Sequence, residues 1–198
     1  MLENNFFKPD ILSKREELFV SVINSKVIKM VRYGLEPKEK FSEQYNISDE
    51  KKAFSLCEGA LLIEFDNGIS LAFNSDEEIC SVISWAEQYG GKHSNNMLKN
   101  EDELFPINAN DPNYSTKYFS DIINQKLVRY EIIKQEPFSP TYFALPREVG
   151  LQLIFSGGYN IMLSHQLTKL VSDNFTILEI QDINQDIYQT LYKMSCFW

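Results

Sequence analysis

Histidine and cysteine are scarce in this chain: 198 residues hold two of the first and three of the second. Cys57, Cys80 and Cys196 are odd in number, lie far apart and form no C-x-x-C pair. That argues against a disulfide framework and fits reduced thiols. His93 and His165 have no second His or Cys at ligand spacing, so no zinc site can be written from the sequence. No metal and no cofactor is expected. Long apolar runs are missing as well, and nothing nears the roughly 18 residues of a membrane span. The opening MLENNFFKPD carries an acid at Glu3 and no basic segment, so a signal peptide is not expected and the cytoplasm is the default location. Glycine is sparse, with eight in all, and neither a Walker A loop nor G-x-G-x-x-G occurs.

Basic residues are also in deficit. The 19 Lys and Arg face 28 Asp and Glu, for a net charge of −9. The excess is local: Gly34 to Lys117 holds 16 acids and 7 bases, and the rest of the chain has 12 of each. A nucleic-acid surface needs clustered Lys and Arg to release counterions, so a nucleic-acid partner is not expected. A basic protein partner fits the charge better.

What the chain does have is the same apolar pattern written twice. LLIEFDNGISLAF starts at Leu61 and LQLIFSGGYNIML at Leu151. A two-residue turn at Asn67-Gly68 would mix the faces of the first. A three-residue loop, Asp66-Asn67-Gly68, pairs Phe65 with Ile69 and puts Leu61, Ile63, Phe65, Ile69, Leu71 and Phe73 on one side. The second copy, with Ser156-Gly157-Gly158 as its loop, aligns Leu151, Leu153, Phe155, Tyr159, Ile161 and Leu163. Both loops read as a type I turn closed by a left-handed glycine, Gly68 or Gly158.

The match extends upstream. FVSVINSKVIK at Phe19 and FSDIINQKLVR at Phe119 share Phe, Ile, Asn and Lys at a spacing of one hundred. Each reads as a short helix followed by a strand, Lys26–Tyr33 or Lys126–Lys134. Downstream, two readings of SDEEICSVISWAEQYGG stand open. Ser75 and Glu78 make a capping box before helically spaced apolar residues. Alignment of Glu87 with Glu179 instead favours a strand from Val82 to Glu87. The expected fold is α+β and β-rich: two helix–strand–hairpin–strand units packed as one pseudo-symmetric domain. Residues 1–89 make the first unit, 90–117 a polar linker, and 118–198 the second unit. The latter ends in a helix over Asp182–Met194 with an Ile183, Ile187, Leu191, Met194 stripe. That helix carries Tyr188 and Tyr192, and docking of both with the SCFW tail is expected.

Catalytic patterns are thin. SDEK at Ser48–Lys51 matches S-x-x-K and Ser172-Asp173-Asn174 matches S-D-N, but the K-T-G of penicillin-recognising serine enzymes is missing. Adjacent carboxylates are solvated runs rather than an acid–base pair across a cleft. Cys57 with a distant His makes no nucleophile pair at sequence level. No enzyme is expected.

A small, acidic, β-rich chain carrying GALLIEFDNGISLAFNSDEEICSVISWAE resembles the immunity proteins of bacterial polymorphic toxin and contact-dependent inhibition systems. The resemblance implies stoichiometric binding and neutralisation of a cognate toxin, often a basic nuclease domain. The candidate partner-binding residues are the acids of the middle region: Glu36, Glu39, Glu43, Asp76, Glu77, Glu78, Glu101, Asp102 and Glu103. The alternatives are an acidic mimic of nucleic acid that inhibits a defence enzyme, and a small-ligand-binding module. The sequence leaves the oligomeric state open.

Overall fold

In the computed structural model, which describes residues 6–137, 139–168, 175–183 and 185–194, the chain forms two antiparallel sheets. The first takes β1 (Asp10–Ile11), β2 (Val27–Gly34), β3 (Gly59–Phe65), β4 (Ser70–Asp76), β5 (Ser81–Tyr89), β6 (Lys92–His93) and β7 (Phe105–Asn108). Its order is β1-β5-β4-β3-β2-β7, with β6 on β5. The second takes β8 (Leu127–Gln135), β9 (Gly150–Phe155), β10 (Asn160–Ser164), β11 (Thr176–Glu179) and β12 (Leu191–Met194), ordered β11-β10-β9-β8-β12. Helices are short: α1 (Glu16–Ser21), α2 (Phe41–Tyr45), α3 (Ala53–Leu56), α4 (Lys117–Ile122) and α5 (Gln185–Tyr188).

Both hairpins adopt the expected register. Leu61 pairs with Phe73 and Ile63 with Leu71; Leu151 pairs with Leu163 and Leu153 with Ile161. The Phe65 N–H donates to Ile69 O at 2.9 Å, and the Phe155 N–H to Tyr159 O at 2.8 Å. Gly68 and Gly158 have φ of +79° and +87°, but Gly157 is left-handed as well, at +77°, so the second loop is not the expected type I turn. Residues 82–87 are extended within β5, so the strand reading holds and the helix does not form.

The inward faces of the two sheets share one core. Phe19 of α1 lies 5.1 Å from the Tyr130 ring, and Phe54 of α3 lies 5.1 Å from Phe119 of α4, so the aromatic contacts cross between units. The outer face of the first sheet carries a second, smaller cluster of Val31, Tyr33, Ala60, Leu62, Ala72 and Trp85. Leu98 and Leu104 pack on it.

Two expectations need correction. The 90–117 stretch, expected as a polar linker, contributes β7 to the first sheet, with Ile107 opposite Arg32. The expected helix over 182–194 is replaced by the single turn α5 and then β12, which pairs with β8 through Leu191 and Gln135. The same physical cause lies behind both. β2 and β8 each pair on one side with the hairpin strand that follows and would leave the other edge's N–H and C=O groups open. β7 closes the first edge and β12 the second. Strand pairing therefore overrides the helical spacing of Ile183, Ile187, Leu191 and Met194, which still rest on the core. Tyr188 and Tyr192, expected to dock, are about half exposed at 51% and 46%. The SCFW tail and Ser172-Asp173-Asn174 lie outside the described residues.

The units meet along a short antiparallel ribbon. Lys26 and Lys126 are paired directly, and the Asn24 N–H donates to Leu127 O while the Asn124 N–H donates to Val27 O, both at 2.7 Å. Arg32, fully buried on β2, spans the interface through its guanidinium, which donates to Cys57 O through Nε at 3.0 Å and to Phe175 O at 2.7 Å. Glu148, also fully buried, answers from the second unit. Its carboxylate accepts the Ser13 N–H at 2.9 Å, its own N–H donates to Ser81 Oγ at 3.0 Å, and its carbonyl accepts the Val82 N–H at 2.9 Å.

Gly59 opens β3 directly opposite Gly34, at φ +121°, and a Cβ there would sit 1.9 Å from Tyr33 O. Gly68, by contrast, has open space around it. Gly68→Ala is expected to cost about 1 kcal/mol, the backbone penalty of a left-handed L-residue. Gly59→Ala is expected to cost about 3 kcal/mol or more, because strain and overlap add. Urea unfolding of both variants measures the ranking; equal losses would contradict the close approach of β3 to β2 at Tyr33.

Candidate protein-interaction surface

The nine candidate acids are scattered over 68 positions of sequence, yet strand direction brings them to one end of the first sheet. β2 ends at Gly34, β3 begins at Gly59, β4 ends at Asp76, β5 begins at Ser81 and β7 begins at Phe105. Gly34 pairs with both Gly59 and Phe105, and Asp76 pairs with Ser81. The 35–58 excursion, the β4–β5 turn and the 101–104 turn therefore all leave or enter at the same edge. From β5 to β7 this edge spans four strand spacings, roughly 19 Å.

Glu36, Glu39, Glu43, Glu77, Glu78, Glu101, Asp102 and Glu103 are exposed there, and Asp76 is half-buried. Glu36 pairs with Lys40 at 3.5 Å across solvent. Asp76 shapes the β4–β5 turn, since its Oδ1 accepts the Glu78 N–H at 2.9 Å. Glu77 and Glu78 thus project from a fixed turn rather than a loose loop. The basic side chains of the excursion are partly spoken for. Lys38 lies 2.7 Å from Asp111 and over the Tyr114 ring at 4.6 Å. Burial works against ionisation of Asp111, but the Lys38 ammonium and the Asn113 N–H outweigh it and hold the carboxyl below its usual range.

One buried acid with no distinguishing pattern in the sequence lies near the far end of β5 from this edge and fastens the segment that leads toward the 101–104 turn. Glu87 of β5 is 1% exposed. Its Oε1 accepts the Trp85 indole N–H at 2.7 Å and its Oε2 accepts the Leu98 N–H at 3.0 Å. The carboxylate ties the 94–98 segment down over the outer cluster, just ahead of Glu101. Arg32 and Glu148 are equally inconspicuous in the sequence. The only sequence signal for Arg32 is that the equivalent inward position of the second unit is Ile132, fully buried and apolar.

The groups considered for catalysis are not gathered. His93 is exposed on β6, His165 is buried just after β10, and Ser48 is exposed before α3. Cys57 borders a small, open surface depression with Leu35, Lys38, Tyr45 and Ile107. Its thiol is buried, and burial pushes it up despite the neighbouring Arg32, the reverse of what a nucleophile needs. Among the described residues no three His, Cys, Asp or Glu side chains are grouped to hold a metal ion. None of their helices is long and apolar enough to cross a membrane. No family model, curated protein or solved structure matches the chain.

Burial raises the Glu87 carboxyl above its ordinary value, so the folded protein holds that proton more tightly than the unfolded chain. The group then favours folding at acid pH, and its contribution falls as pH rises from the unfolded carboxylate range through the raised value. Glu87→Gln removes the titration. It is expected to match wild type near about pH 4 and to gain on it by about pH 7. Thermal melts at both pH values check this; a variant that falls further behind as pH rises would show that the Trp85 and Leu98 hydrogen bonds outweigh burial.

Proposed function

We propose that the protein is a non-catalytic, cytoplasmic immunity protein whose acidic sheet end binds and neutralises a basic toxin domain. The observation that supports it most is topological: three acidic stretches far apart in sequence converge on one edge roughly 19 Å wide. A solubility role needs no such convergence. Exposed carboxylates across that edge raise the local concentration of a basic partner and speed its approach. They also match the cationic clefts with which nucleases hold phosphate, so occupancy of such a cleft excludes its substrate.

Steering of this kind has a kinetic signature. Surface charge acts on the association rate and is screened by salt, while dissociation follows the contacts at the centre of the interface. Glu77 and Glu78 are exposed on a turn that Asp76 fixes, so reversing them leaves the fold intact. With the product of the adjacent gene as partner, Glu77→Lys/Glu78→Lys is expected to slow association about tenfold at low salt and to change dissociation little. Surface plasmon resonance at low and high salt, alongside co-expression survival, reads both. A neighbouring product that is harmless in cells, or that binds no better than a control protein, overturns the immunity reading. Tight binding with no salt dependence removes the charge mechanism alone.

A further inference from the structure

The ribbon joining the two units presents the opposite charge. Lys26 and Lys126 are directly opposed across antiparallel strands. The flanking bonds run from the Val27 N–H to Gln125 O at 2.9 Å and from the Leu127 N–H to Ser25 O at 3.0 Å. That makes Lys26 and Lys126 a non-hydrogen-bonded pair, the geometry in which cross-strand side chains approach most closely. Both side chains are exposed, and neither ammonium has an ion-pair partner among the described residues. Like charges so placed destabilise a sheet.

The two lysines are held in place by matching brackets. The Lys26 N–H donates to Asp66 Oδ1 and the Lys126 N–H to Ser156 Oγ, both at 2.9 Å. Their carbonyls accept the Asp66 and Ser156 N–H groups at 2.9 and 2.8 Å. Two residues further on, each strand skips a register position, between Val27 and Lys29 and between Leu127 and Arg129. The skips turn Ile28 and Val128 outward, each 50% exposed. Lys29 and Arg129 follow, exposed and paired with Glu64 and Glu131. The ribbon therefore shows two unpaired cations flanked by two exposed aliphatic side chains, doubled from the two units.

We propose that this ribbon is a docking surface for an acidic segment of a protein partner, with carboxylates between Lys26 and Lys126 and apolar side chains on Ile28 and Val128. Charge complementarity selects the occupant: an incoming carboxylate relieves the opposed lysines, which have no ion-pair partner among the described residues. Phosphate backbones make no use of the two aliphatic groups. A duplex longer than about eight base pairs would also reach the acidic end of β2, roughly 25 Å away along the strand. The surface is separate from that acidic end, and the inference does not rest on the toxin reading.

An NMR titration tests this with a synthetic peptide of alternating glutamate and leucine, and with an alternating lysine–leucine peptide and a short DNA duplex as comparison probes. The acidic probe is expected to shift the amides of Lys26, Ile28, Lys126 and Val128 first. Lys26→Gln/Lys126→Gln is expected to weaken it about tenfold, and Ile28→Thr/Val128→Thr to weaken it while leaving its salt dependence unchanged. Melting temperatures of both variants establish that they fold; the lysine pair variant is expected to melt no lower than wild type, because it removes a repulsion. No shifts at the ribbon, affinity unchanged in both variants, or tighter binding of the duplex through the same lysines would each overturn the proposal.

Discussion

Four backbone hydrogen bonds at the ribbon of residues 24–27 and 124–127 set the geometry on which the rest of the molecule depends. Asn24 and Asn124 both sit in the left-handed region, at φ 65° and 73°. That conformation is tolerated by asparagine better than by most residues, and it turns each chain from helix into strand. It aims the Asn24 N–H at Leu127 O and the Asn124 N–H at Val27 O. β2 and β8 therefore start from a common point, each bracketed by the turn of its own hairpin. Once those starts are fixed, the inward faces of both hairpins meet in one core, and the buried charges find partners across the units. Arg32 reaches Phe175 O, and Glu148 reaches Ser13 and Ser81. Removing one side of such a buried network leaves its partner unsatisfied, so these struts oppose separation more strongly than they add to stability.

A rigid frame gives the surfaces their meaning. The acidic end is acidic because β2, β3, β4, β5 and β7 all turn at the same edge, and Asp76 holds the β4–β5 turn in shape. The ribbon is basic at the other end of β2. The net charge of −9 conceals this separation of sign. Charge steers by where it lies, so the two ends of one strand can recognise partners of opposite character.

Much of the frame is legible in the sequence. The period-2 alternation about Gly68 and Gly158 determines the hairpin registers, since a one-residue slip would expose Leu61, Ile63 and Phe65 together. The spacing of one hundred between Asn24 and Asn124 locates the joint, although not that the two copies bond each other. Partner choice cannot be read from the chain. Phe105–Asn108 and Leu191–Met194 are short strands with no strong pattern of their own, and they form because β2 and β8 present open edges. Periodicity at 183–194 points to a helix for that reason. Arg32, Glu87 and Glu148 look like surface charges until the partners that bury them are known. The candidate acids can be named from composition, but their convergence is a property of strand direction alone.

The ribbon and its struts make one cooperative body of two units, so that both charged surfaces are carried on a single frame. Native-state hydrogen exchange at the Asn24, Val27, Asn124 and Leu127 amides tests this most directly. All four are expected to open only in global unfolding, with the same free energy and the same dependence on denaturant as core amides of β3 and β9. Exchange of the ribbon amides through a smaller opening, with β3 or β9 still protected, would show two units that separate and would contradict it.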